Sequence, residues 1–219
     1  MKRFILTACA GLLAIAMASP SFAADMPGPY KAPAYSPAFN WTGFYAGING
    51  GYAFGKSNWT DTTGATTGEF DLTGALAGGT VGYNVQTGSW VWGFEADGAA
   101  SWLKGTDAAA CCETKNDWFA TARGRFGFAF GQWLPFLTAG AAFGDVKMTS
   151  VGFGSATATK IGWTAGGGLE YAFMGAWSAK VEYLYADLGK ASCGAATCGL
   201  DTDVTFKTSI VRAGVNYHF

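Results

Sequence analysis

The segment from Lys207 to Phe219 constrains the fold more tightly than any other stretch of the chain. Val211, Ala213, Val215, Tyr217 and Phe219 fall on one parity, and Arg212, Gly214, Asn216 and His218 on the other. Side chains of an extended backbone point alternately to opposite faces, so this pattern describes a strand between an apolar and a polar environment. The rule recurs along the chain. Trp177, Ala179, Val181, Tyr183 and Tyr185 alternate with Lys180 and Glu182; Trp92, Phe94, Ala96 and Gly98 alternate with Glu95 and Asp97. Trp118, Ala120, Ala122, Gly124, Phe126 and Phe128 alternate with Arg123 and Arg125, and Ile161, Trp163, Ala165, Leu169 and Tyr171 with Thr164 and Glu170. Eight such segments are expected, near 41–54, 70–85, 90–104, 116–130, 134–147, 161–173, 177–188 and 205–219. In the second and fifth, Gly and Ala blur the parity.

Which face meets which solvent follows from side-chain size. A soluble barrel turns its apolar face inward, whereas here the bulky aromatic face is too large for the interior of an eight-stranded barrel and the small or charged face fits it. Composition agrees. Hydrophobic residues make up 50 % of the chain and aromatics 16 %, but charged residues only 13 %, about half the charge of a soluble domain. Alternation over roughly 9–11 residues is the length of a tilted membrane strand. The turns near 86–89, 131–133 and 174–176 are short, and the connections near 56–69, 105–115, 148–160 and 189–204 are longer and polar. The expectation is therefore an all-β fold: an eight-stranded antiparallel up-and-down transmembrane β-barrel with short periplasmic turns and four longer extracellular loops. Trp41, Trp90, Trp92, Trp102, Trp118, Trp133, Trp163 and Trp177 lie at or near strand ends, the positions of interfacial girdles.

The domain plan puts a signal peptide at 1–23, a Pro-rich periplasmic leader at 24–40 and the barrel at 41–219. Lys2 and Arg3 precede an apolar stretch from Phe4 to Ala18, and Ser21-Phe22-Ala23 offers small residues for cleavage before Ala24. Leu6-Thr7-Ala8-Cys9 has the form of a lipoprotein cleavage site but would leave no apolar core to the signal. Pro27, Pro29, Pro33 and Pro37 crowd the leader, and beyond it only Pro135 remains, as hydrogen-bonded ladders require. The chain carries 14 basic and 15 acidic residues, two of the basic ones in the signal. No basic surplus points to nucleic acid.

Ala23-Ala24-Asp25-Met26 before the Pro-rich stretch, then Trp41-Thr42-Gly43-Phe44-Tyr45-Ala46-Gly47, resembles the small outer-membrane immunogenic proteins of alphaproteobacteria. Gly82-Tyr83-Asn84, Trp133-Leu134-Pro135-Phe136 and Ala213-Gly214-Val215-Asn216-Tyr217-His218-Phe219 are similar to the same family. The resemblance spans the mature chain. It implies an OmpA-like barrel of the porin family without a peptidoglycan-binding domain. It also implies a Gram-negative surface antigen that supports envelope integrity, with haem binding in some members. Tyr217 and Phe219 match the terminal signal read by the barrel-assembly machinery. The implied surroundings are outer-membrane lipids and lipopolysaccharide, with the barrel as a monomer.

Glu95, Asp97, Arg123, Arg125, Glu170, Lys180, Glu182 and Arg212 should all face the lumen, four acids against four bases that can neutralise one another across the ladder. A network that plugs the barrel is the first reading and a gated ion path the second. Gly50-Gly51-Tyr52-Ala53-Phe54-Gly55-Lys56-Ser57 matches a phosphate-binding loop letter for letter, but the Thr- and Gly-rich stretch after it cannot form the required helix. The single histidine, His218, has no serine or aspartate motif near it in sequence, so neither a catalytic nor a metal site is expected; the function expected is structural, with loop-mediated binding of haem or of a host or phage surface, or small-ion porin activity, as the alternative. The loops are poor in His and Tyr, the usual haem ligands, so no cofactor is expected. Asn40-Trp41-Thr42 and Asn58-Trp59-Thr60 read as ordinary girdle and loop residues, and Asp201-Thr202-Asp203 as a solvated loop.

Cys111, Cys112, Cys193 and Cys198 remain once Cys9 is removed with the signal. An oxidising envelope favours disulfides, and four cysteines allow three connectivities. The Cys193-Gly-Ala-Ala-Thr-Cys198 spacing favours a local staple; bridges from Cys111 and Cys112 to Cys193 and Cys198 are the alternative. Non-reducing tryptic mapping should return a Cys193–Cys198 linkage, and a peptide joining the 111/112 pair to 193 or 198 would rule the staple out.

Overall fold

A computed structural model of the chain describes residues 39–61, 64, 66–106, 112–150, 154–193 and 202–219. They form eight strands: β1 (Gly43–Asp61), β2 (Thr66–Thr87), β3 (Trp90–Thr106), β4 (Cys112–Phe128), β5 (Trp133–Ser150), β6 (Gly154–Met174), β7 (Trp177–Cys193) and β8 (Thr202–His218). Each pairs antiparallel with the next, and β8 returns to β1, so the sheet closes into a barrel. Closure removes the free edges that a membrane cannot solvate. The expected fold class is borne out.

Burial follows the alternation. Val211, Val215, Tyr217 and Phe219 are exposed, whereas Arg212, Asn216 and His218 are buried. The ambiguous strands resolve as well. In β2, Leu72, Leu76, Thr80 and Asn84 face inward; in β5, Leu134, Phe136, Thr138 and Ala142 do. Three short turns join the strands at the end where β1 begins and β8 stops, the periplasmic end of such barrels. Gly88, Gly131 and Gly175 occupy them with left-handed φ of 61°, 61° and 53°, where a side chain would be strained. Around this rim Trp90 stacks on Phe126, Trp133 leans against Tyr171 and Trp177 meets Tyr217 edge-on, with centroids 5.2, 4.5 and 5.1 Å apart.

Two expectations need correction. The longer loops are mostly strand: Asn58, Trp59 and Thr60 belong to β1, and β1 and β2 stay paired as far as Thr60 and Thr66. Likewise β5 and β6 stay paired to Ser150 and Gly154. Above the hydrocarbon the outer face meets water and loses its apolar pattern, while the ladder continues. The inner parity kept the signal, since Val146, Met148, Val204 and Phe206 are all buried. Trp41 is not a girdle residue. It is fully buried in the periplasmic mouth with Phe39 packed against it, and the first strand begins at Gly43.

The phosphate-loop motif lies wholly within β1, where Gly50–Ser57 pairs with β2 on one side and β8 on the other. Its backbone N–H groups belong to the ladder rather than to a free cradle, and Ser57 is buried. Residues 1–38, Cys111 and Cys198 lie outside the described residues, and with them the signal peptide, most of the leader and the candidate staple.

The wall is locally thinned for bulky inward side chains. Tyr45 and Gly82 sit opposite each other in the ladder, and a Cβ on Gly82 would lie 2.4 Å from the Tyr45 ring. Gly82→Ala should therefore lower stability by about 1–3 kcal/mol through overpacking. Gly98→Ala points a methyl into open space and should leave the urea midpoint of the folded barrel in lipid unchanged.

Candidate functional site

The lumen is built in three storeys, each set by inward positions of the strands. At the periplasmic mouth Trp41, Val91, Ala129, Leu134 and Ala172 form an apolar cluster with Phe39 packed on it. This plug is tied to the β2–β3 turn: Gln86 Oε1 accepts from the Trp41 N–H at 2.9 Å, and Thr42 Oγ1 accepts from the Gln86 N–H at 3.0 Å. At the opposite end Leu72, Leu76, Leu103, Phe119, Val146, Met148, Leu184, Leu188, Phe206 and Ile210 make a second apolar cluster. Between them lie the charges.

All eight residues expected in the lumen are buried there and belong to one connected network. The register sets Glu95 opposite Arg123, Glu182 opposite Arg212 and Glu170 opposite Lys180. Glu95 bonds Arg123 directly and accepts from Lys180 Nζ and from the Tyr45 hydroxyl, both at 2.8 Å. Asp97 takes a two-pronged contact from Arg212 at 2.8 and 3.0 Å, a third from Arg123 at 2.9 Å and a fourth from the Thr121 hydroxyl at 2.5 Å. Glu182 bridges Arg123 at 2.5 Å and Arg212 Nε at 2.8 Å. Glu170 bonds Arg125 and Ser178 and accepts from Asn216 Nδ2 at 2.8 Å. The Arg125 guanidinium lies 4.0 Å from the Phe136 ring centroid.

Several of these bonds span the lumen rather than neighbouring strands. Lys180 faces Glu170 in the ladder yet bonds Glu95 on β3, and Arg212 on β8 reaches Asp97 on β3. Pairing across the ladder, as expected, joins Glu95 to Arg123 and Glu182 to Arg212, and closure adds the bonds across the lumen. Tyr45, Thr121, Thr138, Ser178 and Asn216 were missed as members, although all lie on inward parities. The sequence carries a signal for inward position and for partners on neighbouring strands, such as Glu95 and Asp97 with Arg123, and none for partners across the lumen.

His218 corrects an expectation. Its sequence neighbours offer no partner, but β7 brings Ser178 Oγ to 3.0 Å from its Nε2, with Glu170 Oε1 at 3.5 Å from the same nitrogen. These are the residue types of a hydrolytic triad in a different arrangement. In a triad the acid holds the ring nitrogen opposite the serine, whereas His218 Nδ1 has no partner. The ring stacks on Tyr45 at 5.4 Å and meets Trp41 edge-on at 5.5 Å, so the plug covers the group. Among the described residues no cluster of His, Cys, Asp or Glu is disposed to hold a metal.

Tyr217 and Phe219 lie on the outer face at the β1–β8 seam. Their rings are 5.2 Å apart, and the Phe219 N–H donates to Phe44 O at 2.9 Å.

Comparison with known proteins agrees with this architecture. The outer membrane protein beta-barrel domain model matches residues 7–219. The 31 kDa outer-membrane immunogenic protein of Brucella melitensis is 37 % identical, covering 100 % of both chains. The 25 kDa outer-membrane immunogenic protein of Brucella abortus is 31 % identical, covering 91 % of each. Among solved structures, Neisserial surface protein A shares the fold with a TM-score of 0.50 at 17 % identity, over 81 % of this chain and 98 % of that one. OprG of Pseudomonas aeruginosa does so with 0.51 at 15 %, over 82 % and 98 %.

Removing one member of the network leaves its partners charged and buried, so Glu95→Gln should destabilise by about 3–5 kcal/mol. Glu113→Gln, which breaks an exposed pair with Lys115 at 2.9 Å, should leave the unfolding midpoint nearly unchanged. Urea unfolding in lipid vesicles measures both.

Proposed function

The chain belongs to the outer-membrane β-barrel protein family and resides in the outer membrane; from that premise we propose that it is a structural barrel that neither conducts nor catalyses. The observation that carries this reading is the filled lumen. An ion crossing it would have to push through both apolar clusters as well as the central network. The charges between those clusters are already neutralised pairwise, and moving one away from its partners costs several kcal/mol. An eight-stranded interior leaves room for side chains and little else.

The same geometry favours a non-catalytic reading of Ser178, His218 and Glu170. A substrate would need to displace Trp41, which is fully buried. The serine is shared with the carboxylate instead of being activated by an acid-backed histidine. These three residues form the lower edge of the packing network.

The work of the protein then falls to its outer surface. It adds a rigid, lipid-sealed cylinder to the envelope and holds the extracellular strand ends above the membrane. The outward position of Tyr217 and Phe219 at the closing seam supports their reading as the assembly signal. A single barrel satisfies every backbone edge by closure, which supports a monomer.

Purified protein in planar bilayers should show no large, long-lived openings, and reproducible openings of that kind would overturn the closed-lumen reading. A deletion strain should become detergent-sensitive; an intact permeability barrier would move the role to surface binding.

A further inference from the structure

The closure that satisfies every strand edge within the membrane does not reach the full height of the wall. β6 and β7 are paired from Met174 and Trp177 as far as Trp163 and Asp187, and there their ladder stops. Trp163 and Tyr185, outward on those two strands with ring centroids 5.4 Å apart, mark the extracellular interface. Beyond this level both strands continue with their other neighbours. β6 stays on β5 up to Gly154, opposite Ser150, and β7 stays on β8 up to Cys193, opposite Thr202.

Gly189 accounts for the parting. It has a left-handed φ of 71°, its N–H donates to Asp187 Oδ1 at 2.8 Å, and the β7–β8 register slips between Asp187 and Lys190. An extra residue of this kind bends its own strand, and here it turns β7 away from β6. Leu188, just before it, is buried, and a Cβ on Gly144 of β5 would lie 3.2 Å from its side chain. The apolar cluster therefore stays closed beneath the gap.

What is left is the edge of β6, Gly154-Ser155-Ala156-Thr157-Ala158-Thr159-Lys160-Ile161. Among the described residues nothing pairs with its β7-facing side. Free strands are ordinarily blunted by proline, a bulge or charge. This one is regular: β5 and β6 pair without a slip from Tyr171 to Gly154, and the bulge lies in β7 instead. Its single charge, Lys160, falls on the inward parity, while Ser155, Thr157 and Thr159 are exposed. Every second residue of such an edge turns its N–H and C=O to the open side.

We infer that this edge binds an extended segment of a partner protein, which joins β6 as an added strand. Main-chain hydrogen bonds supply the affinity, and side chains select. Hydroxyl and β-branched residues fit beside Ser155, Thr157 and Thr159. An acid fits beside Lys160, which is half-buried and has no carboxylate partner among the described residues. A second copy of this chain does not fit. Two β6 edges pair as antiparallel strands about an axis perpendicular to the sheet, which would point the two barrels in opposite directions. About an axis along the strand, tilted roughly 35–45° from the barrel axis, the second barrel would swing out of the membrane. The edge stands outside the lumen, so the site does not depend on whether the lumen is closed.

A fluorescent peptide of about eight residues, a common strand length, tests this against the full chain in lipid nanodiscs. It alternates threonine with valine and carries glutamate in place of one valine. Anisotropy should show saturable binding, and hydrogen exchange should slow at 154–161 alone. N-methylation at alternate positions removes the donors from one edge of the peptide at a time. One methylated form should keep binding and the other should weaken about ten-fold, the loss expected for a few hydrogen bonds. A variant lacking Gly189 loses the bulge, lets β7 run on beside β6 and should bind as weakly; heat-dependent gel mobility confirms that it is folded. Lys160→Glu leaves the backbone edge intact and should weaken the glutamate peptide about two- to five-fold while favouring a lysine-bearing one. Equal binding of the two methylated forms, undiminished binding without Gly189 or no binding at millimolar peptide would overturn the added strand. An unchanged preference in Lys160→Glu would overturn the acidic partner. Nanodiscs that pair with one another through β6 would assign the edge to a second copy on a facing membrane and overturn the partner assignment.

Discussion

The contact between Glu95 and Arg123 is the interaction on which the rest of the interior depends. It begins as a pair of residues opposite one another on β3 and β4, but each partner also reaches across the lumen. Glu95 takes Lys180 from β7 and Tyr45 from β1; Arg123 takes Glu182 from β7 and Asp97 from β3. The pair thereby ties together strands that are far apart around the wall. Burying so many ions costs free energy that only near-complete pairing offsets. Because that pairing exists only in the closed cylinder, the network specifies closure and register rather than merely filling space.

The apolar storeys protect that arrangement. Water admitted to the centre would screen the charges and weaken each contact. Trp41 and its neighbours shut the periplasmic mouth, and the Leu- and Phe-rich cluster shuts the other. The plug draws on the chain just before β1, so the end of the leader is structural. The outer face answers to a different solvent. Its aromatics gather at the periplasmic rim. The two faces are written in alternate letters of the same strands.

That interleaving explains what could be read beforehand. Wherever the outer face meets lipid and the inner face is polar, as in Trp177–Tyr185, alternation gives the strand, its faces and its charged residues. Where both faces are apolar the contrast fades, which hid the lumen-facing Leu184, Ala186 and Leu188 directly after Glu182. Where the outer face meets water the strand ends were misjudged, as at Asn58–Thr60. Trp41 looked like one more interfacial tryptophan because nothing local distinguishes a residue that turns into the mouth from one that lies along the rim. Partners across the lumen were the least legible. Lys180 and Glu95 are 85 residues apart, and only the curvature of the closed sheet brings them together.

The central claim is that the interior charges act as one structural unit. A double-mutant cycle on Glu95→Gln and Arg123→Met, read by urea unfolding in lipid vesicles, tests it most directly. The account predicts that the two losses fail to add, with a coupling of about 1–3 kcal/mol between them. Losses that add to within about 0.5 kcal/mol would mean that the pair contributes nothing as a pair and would contradict it.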